Sequence, residues 1–141
     1  MFTATIVYQI CFSLLGAVSV LGECWIEPNK EGVVRIPNGT ETIIEDAFDS
    51  CGDDLKAVKR MIISASVKHI GSFALYIFSG LEEVIFEKGS RLQVIGRGAF
   101  DSCKELKVVT LPPGLKEIGR AAFYETGLEK VIFEEGSELE T

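Results

Sequence analysis

Few residues of this sequence have the types and spacing that chemistry requires. The chain has four cysteines and a single histidine, His69. A zinc site needs several Cys or His ligands at short spacing, and nucleophilic catalysis needs a nucleophile beside a base. The sequence shows no such ligand spacing, no nucleophile–base pair, no paired acid motif and no phosphate-binding loop. It therefore predicts no catalytic, cofactor-binding or metal-ligating residue, and we do not expect an enzyme.

The charge balance bears on the class of partner. Fourteen Lys and Arg residues against 21 Asp and Glu residues give a formal net charge of −7. An acidic surface disfavours non-specific binding to nucleic acid or to anionic lipid. We therefore expect no nucleic-acid partner.

One triplet has the pattern of a modification site. Asn38-Gly39-Thr40 is a sequon for N-glycosylation. Pro37 and Gly39 mark a turn at this point, and a turn leaves the Asn38 side chain accessible. Asn38 is therefore a candidate glycan acceptor if the chain passes through a eukaryotic secretory route.

An internal repeat accounts for most of the chain. Ile95–Pro112, IGRGAFDSCKELKVVTLP, matches Ile118–Phe133, IGRAAFYETGLEKVIF, at the Ile-Gly, the Ala-Phe, a Leu and a β-branched run. Ile70–Phe86 fits the same pattern without a gap, and a fainter copy opens at Ile43. Self-similarity at a period of roughly 20–30 residues is typical of a solenoid.

Each repeat supplies one short strand and one short turn. The strand-like segments are Val33–Ile36, Arg60–Ile63, Glu83–Phe86, Val108–Leu111 and Lys130–Phe133. Neither such a strand nor a single helical turn is stable alone, so the repeats must stack about 4.8 Å apart and bury one shared core. The sequence predicts a β-rich α/β solenoid, with short parallel strands on one face and short helical or 3-10 turns on the other. The second repeat also carries an insertion at Gly52–Ala57.

Alternation along each strand separates core positions from surface positions. The predicted inward residues are Val58, Met61, Ile63, Leu81, Val84, Phe86, Leu106, Val109, Leu111, Leu128, Val131 and Phe133. The outward residues form two columns, the first with Val33, Arg60, Glu83, Val108 and Lys130, the second with Arg35, Ile62, Ile85, Thr110 and Ile132. The second column is unusually apolar, which either marks an interaction site or reflects the preference of β-branched residues for strands. The candidate protein-binding residues are Arg35, Arg60, Ile62, Glu83, Ile85, Thr110, Lys130 and Ile132.

The cysteines allow a test of disulfide bonding. Cys51 and Cys103 hold equivalent places two repeats apart, which at about 4.8 Å per layer separates them by roughly 10 Å. A disulfide needs Cα atoms within about 7 Å, so these two residues should not bond. We expect buried free thiols that line the core. A bond from Cys24 to Cys51 is an alternative that the spacing does not support.

The ends of the sequence differ from the repeats. Residues 1–22 carry no charged side chain and precede a polar stretch, which predicts a cleaved signal peptide. The alternative is an uncleaved membrane anchor, the one route by which we expect membrane contact. Residues 23–32, with Trp25, suit a partial N-terminal cap, and repeats fill residues 33–141. The last copy stops before its Ile-Gly, which predicts an uncapped C-terminal edge capable of self-association.

The segments IGRGAFDSCKELKVVTLP and IGRAAFYETGLEKVIF resemble the BspA-type leucine-rich repeats, and the resemblance covers Val33–Thr141. Cys51 and Cys103 stand at that family's Cys position. The resemblance implies a leucine-rich-repeat solenoid, secreted or on the cell surface, that acts without a cofactor in adhesion or protein recognition. Its expected partner is an extracellular or surface protein. The alternative is a truncated fragment of a longer repeat receptor or surface antigen with no autonomous activity.

Overall fold

The structure is a computed structural model that describes residues 26–45 and 47–139. Within these ranges the chain forms nine short strands and one 3-10 helix, which spans Asp49–Ala57. The strands are β1 (Val33–Arg35), β2 (Thr42–Ile43), β3 (Arg60–Ile63), β4 (His69–Ile70), β5 (Glu83–Phe86), β6 (Val94–Ile95), β7 (Val108–Leu111), β8 (Glu117–Ile118) and β9 (Lys130–Phe133). The predicted signal peptide, residues 1–22, lies outside the described residues, as do Cys24 and Trp25. Within the described ranges, no helix has the length and apolar character needed to cross a bilayer.

The strands form two parallel sheets that run along the solenoid. The larger sheet has the order β1-β3-β5-β7-β9 and the smaller has the order β2-β4-β6-β8. Four of the five predicted strands have the observed bounds, and the first ends at Arg35 instead of Ile36. The N–H of Ile36 still donates to the carbonyl of Ile62 at 2.8 Å, and Pro37, which has no N–H, follows it. The predicted parallel solenoid is therefore confirmed.

The smaller sheet is built on the Ile-Gly motif of each repeat. Its strands have two residues each, and the second is Ile43, Ile70, Ile95 or Ile118. Glycine follows the isoleucine in three layers, where the backbones approach closely: a Cβ on Gly96 would lie 2.6 Å from the carbonyl carbon of Gly71. A side chain at this position would push neighbouring layers apart, so the motif's glycine is explained by stacking.

The core is one continuous column of apolar side chains. Fully buried members include Phe48, Leu75, Phe78, Phe100, Ile43, Ile70 and Ile95. The predicted inward residues of β3 and β7 are buried as well, and Phe86 of β5 is half-buried. In the last layer, however, Val131 and Phe133 are 40% and 50% exposed. Alternation gives the side of the strand on which a residue lies, but no described layer covers these two side chains.

The insertion in the second repeat folds as the 3-10 helix Asp49–Ala57. Leu55 anchors this helix in the core with no exposed surface. Gly52 interrupts the helix with a φ of 61°, in the left-handed region that glycine tolerates. The extra residues are therefore accommodated between β2 and β3 while the ladder of strands continues.

The two cysteines in equivalent positions have different states. Cys103 is a buried free thiol, as expected. Cys51 is disulfide-bonded, so the expectation of a free thiol there is wrong. The layer spacing excluded only Cys103 as its partner, and the residue to which Cys51 is bonded lies outside the described ranges.

Candidate protein-binding face

The outward residues of the larger sheet form a single surface, which we call the outer sheet face. Its first column is continuous, with Val33 opposite Arg60, Arg60 opposite Glu83, Glu83 opposite Val108 and Val108 opposite Lys130. In the second column Arg35 lies opposite Ile62, Ile62 opposite Ile85, and Thr110 opposite Ile132. The structure therefore brings together the candidate residues, which are far apart in sequence.

An apolar stripe runs along this face. Ile85, Val108 and Ile132 are 36%, 42% and 37% exposed, and Ile62 and Thr110 are half-buried. Ile62 lies opposite Ile85, and Thr110 lies opposite Ile132, on strands about 4.8 Å apart. Val108 lies on the same side of β7 as Thr110, two residues before it. Because this side of the strands does not face the core, the exposed apolar area is available for contact with another molecule.

Ion pairs border the stripe. Arg60 Nε lies 2.6 Å from Glu83 Oε2, and Lys59 Nζ lies 3.0 Å from Glu82 Oε1. Arg35 crosses the neighbouring strand to pair with Glu87 just beyond the end of β5. These pairs are largely exposed, so they add little to folding stability, but they fix the charged groups on either side of the stripe.

Three of these paired residues, Lys59, Glu82 and Glu87, were not among the residues predicted from the sequence. Lys59 and Glu82 directly precede two adjacent strands, and their opposite charges one repeat apart were a readable signal. Glu87 has no such signal, because Arg35 reaches it across β3.

A shallow open cavity of about 310 Å³ lies at the N-terminal ends of the strands on this face. Its lining includes both ion pairs of β3 and β5, together with Glu31 and Val33. Four of the lining side chains pair with one another, as Lys59–Glu82 and Arg60–Glu83, and Glu31 adds a carboxylate that is in neither pair. It extends the polar border of the outer sheet face.

The sequon lies in a turn held by a network of hydroxyl groups. Asn38 is exposed, whereas Thr40 is buried and its hydroxyl donates to the carbonyl of Pro37 at 2.8 Å. Ser66, from the next layer, donates to the carbonyl of Thr40 at 2.8 Å. Thr40 therefore has a structural role, and the Asn38 amide is reachable from solvent.

The titratable groups whose pKa values are shifted lie away from the stripe. Burial, with a smaller contribution from the charge of Asp101, raises the pKa of the Cys103 thiol to about 12. The Sγ of Cys103 donates to the carbonyl of Leu75 at 3.4 Å, so this thiol is protonated and unreactive at neutral pH. A hydrogen bond from Lys68 lowers the pKa of Glu41, and one from Lys56 lowers that of Asp53. In the described part of the chain, no group of three or more His, Cys, Asp or Glu side chains is placed to hold a metal ion.

The repeats define a class of protein, the leucine-rich-repeat solenoids of the BspA type. A family model described as the BspA type leucine rich repeat region matches six copies over residues 30–140. The chain belongs to this family. No curated protein matches the chain.

Solved structures share the fold. The pneumococcal vaccine antigen PcpA aligns with a TM-score of 0.66 at 22% identity, over 85% of this chain and 36% of that chain. A leucine-rich repeat protein from Bacteroides capillosus aligns with a TM-score of 0.60 at 25% identity, over 75% of this chain and 79% of that chain. A third, from Bacteroides ovatus, gives 0.52 at 24% identity, over 86% of this chain and 40% of that one. The chain thus spans well under half the length of two of these three proteins.

Proposed function

We propose that this chain is a non-enzymatic, secreted or cell-surface leucine-rich-repeat protein that recognises another protein through its outer sheet face. The observation that supports this most directly is the largely apolar and partly exposed stripe of Ile62, Ile85, Val108, Thr110 and Ile132. Repeat proteins use such extended surfaces for binding. The family to which the chain belongs suggests protein recognition or adhesion.

The composition of the face supports a protein partner. Interfaces between proteins have an apolar centre with few charges and a polar rim. Here the centre of the interface would be the apolar stripe, and the rim would be the pairs Arg60–Glu83 and Arg35–Glu87. Since these four rim charges are paired with one another, they do not require a partner of strong opposite charge. Apolar contact would therefore provide most of the affinity.

The disulfide at Cys51 supports the proposed location. Disulfides persist in oxidising compartments and are rare in the cytosol. A signal peptide at residues 1–22, followed by a partial cap at residues 23–32, is consistent with export. If the export route is a eukaryotic one, Asn38 would carry a glycan at the end of the stripe nearest β1.

A capture experiment with a matched control tests the recognition site. The protein is used to capture partners from extracellular proteins, and the pull-down is repeated with Ile62→Lys combined with Ile85→Lys. We expect this double variant to keep its circular dichroism spectrum and to lose the partner, since two lysines would have to be desolvated in the interface.

The control is Tyr76→Lys combined with Tyr124→Lys. These two side chains are 43% and 59% exposed and lie in the turns that precede β5 and β9, not on the outer sheet face. The control should retain the partner. If the isoleucine double variant binds as well as the parent protein, the outer sheet face is not the recognition site.

A second candidate is that the chain is a truncated fragment of a longer repeat receptor or surface antigen with no activity of its own. Its partial coverage of PcpA, 36% of that chain, is compatible with this. Reading the coding DNA past the codon for Thr141 discriminates between the two. An open frame that continues with Ile-Gly and then Ala-Phe favours the fragment, and a stop codon argues against it.

A further inference from the structure

Two neighbouring strands of the outer sheet face carry opposite charges. Lys59 and Arg60, at the start of β3, are basic, whereas Glu82 and Glu83, at the start of β5, are acidic. All four side chains are about half exposed. Because β3 and β5 lie between β1 and β7 in the sheet, described strands flank them on both sides. The face therefore presents a positive strand and a negative strand side by side.

We propose that the outer sheet face binds the same face of a second copy of the chain, about a two-fold axis that runs parallel to the strands midway between β3 and β5. The proposal rests on the proposed function, because it names the protein that this face recognises. A two-fold interface requires a surface that complements itself across the axis. This axis places β3 over β5 of the second copy and β1 over β7 of the second copy.

The charges of the two middle strands complement one another about this axis. Arg60 lies opposite Glu83 of the second copy, Lys59 lies opposite Glu82 of the second copy, and each contact occurs twice. Within one copy, Arg60 already pairs with Glu83 at 2.6 Å and Lys59 with Glu82 at 3.0 Å. Each of these pairs then meets an inverted copy of itself, so the charges of both signs alternate across the interface.

The apolar residues meet about the same axis. Ile62, which is half-buried, lies opposite Ile85 of the second copy, which is 36% exposed, and this contact also occurs twice. Val33 lies opposite Val108 of the second copy, which is 42% exposed. Sheets that pack face to face keep their strands within about 30° of each other and lie about 10 Å apart, a distance that such side chains fill. Four isoleucines therefore form an apolar centre beside the charged groups.

The outer two layers of the interface complement each other as well. Glu31, which lines the shallow cavity beside β1, lies in the layer that faces Lys107 of the second copy. Both residues are exposed, and neither has a salt-bridge partner among the described residues. Arg35, which pairs with Glu87, lies opposite Thr110 of the second copy and so faces no like charge.

Other two-fold axes bring unfavourable groups together. An axis along β3 would place Arg60 on Arg60 of the second copy, and an axis along β5 would place Glu83 on Glu83. An axis one layer to either side would place Val33 on Arg60 or Val108 on Glu83. An axis perpendicular to the strands, along the apolar stripe, would bring Glu83 towards Glu87 of the second copy. Since like charges that face each other oppose association, the axis between β3 and β5 is favoured.

The size of the face sets the strength of the dimer. The interface has four strands of three or four residues on each copy, which cover roughly 19 Å by 13 Å. A stable interface buries about 800 Å² on each partner, so we expect a weak dimer with a dissociation constant of about 0.1 mM. Weak contacts of this kind suit adhesion between two surfaces that each display many copies, because multivalency raises the overall affinity.

A charge exchange tests the position of the axis. The molar mass of the full chain is followed against concentration by sedimentation velocity for Arg60→Glu, for Glu83→Arg and for both together. Each single variant should self-associate about tenfold more weakly or worse, since like charges then face each other at two places. The double variant should associate with itself as the parent does, but not with the parent, because the two chains then oppose like charges. The matched control is Lys68→Glu, which breaks the Lys68–Glu41 pair beside the smaller sheet and should leave the dimer unchanged.

The outcomes separate this proposal from the proposed function. A parent protein that stays monomeric at millimolar concentration overturns the second copy as the partner, and so does a dimer that neither single variant weakens. Capture of a different protein by the outer sheet face, without self-association, would also overturn it and would leave the proposed function standing. The proposed function itself fails if Ile62→Lys combined with Ile85→Lys binds its captured partner as well as the parent protein does.

Discussion

Replacing Phe100 by Ala tests whether the layers share one core. Phe100 has no exposed surface, and its ring stacks on that of Phe123 in the next layer with centroids 5.1 Å apart and planes 5° from parallel. Its N–H donates to the carbonyl of Ala122 at 2.8 Å, which also joins the two layers. The substitution removes the ring and keeps this backbone hydrogen bond, so the effect reports on packing alone.

The expected loss of stability is large, because water cannot fill the cavity that the missing ring leaves. Removing a buried Phe side chain costs about 3–5 kcal/mol, the sum of lost transfer free energy and an added cavity. Replacing Phe123 by Ala removes the same ring stacking, but Phe123 is half-buried, so we expect a loss of stability of roughly 1–2 kcal/mol. A domain has only about 5–15 kcal/mol of total stability. Phe100→Ala therefore removes a major share, while Phe123→Ala removes a minor one.

Urea unfolding followed by far-UV circular dichroism measures both variants. With a slope of about 1–3 kcal/mol per M of urea, the unfolding midpoint of Phe100→Ala should fall by at least about 1 M. The reasoning is refuted if Phe100→Ala lies within about 1 kcal/mol of the parent protein, or if the two variants lose equal stability. Either result would mean that the layers do not depend on the buried phenylalanine column.

Three further results are expected. Gly96→Ala should lower the free energy of unfolding by about 1–3 kcal/mol in urea titrations, because its Cβ would lie 2.6 Å from the backbone of Gly71 in the preceding layer. Gly114→Ala, whose nearest contact is 3.6 Å away, should be close to neutral. The Cys103 thiol, with its pKa raised to about 12, should resist a thiol reagent at pH 8 until the protein is denatured; reaction in the native state would contradict its burial. The Glu41 pKa is lowered from 4.5 by Lys68, so this pair stabilises the fold above that pH and its contribution is lost as the pH falls through the lowered pKa. Lys68→Met should shift the Glu41 pKa back towards its ordinary value, which an NMR titration measures.

The strands of the larger sheet could be predicted because the repeats align with one another. Once Arg60 and Glu83 are equivalent positions, a parallel ladder must place them side by side, and the structure does so. The smaller sheet was not predicted, because two-residue strands such as Val94–Ile95 are too short to show alternation. Its isoleucines were recognised as repeat markers, but their pairing depends on tertiary stacking.

The sequence could not predict which side chains another layer covers or how far a long side chain reaches across a strand. Alternation placed Phe133 on the core side correctly, yet its 50% exposure depends on what lies over the last layer. The pair between Arg35 and Glu87 depends on how a long side chain crosses a strand. A disulfide at Cys51 was only the alternative expectation, because the distance between layers excludes Cys103 as its partner without identifying another.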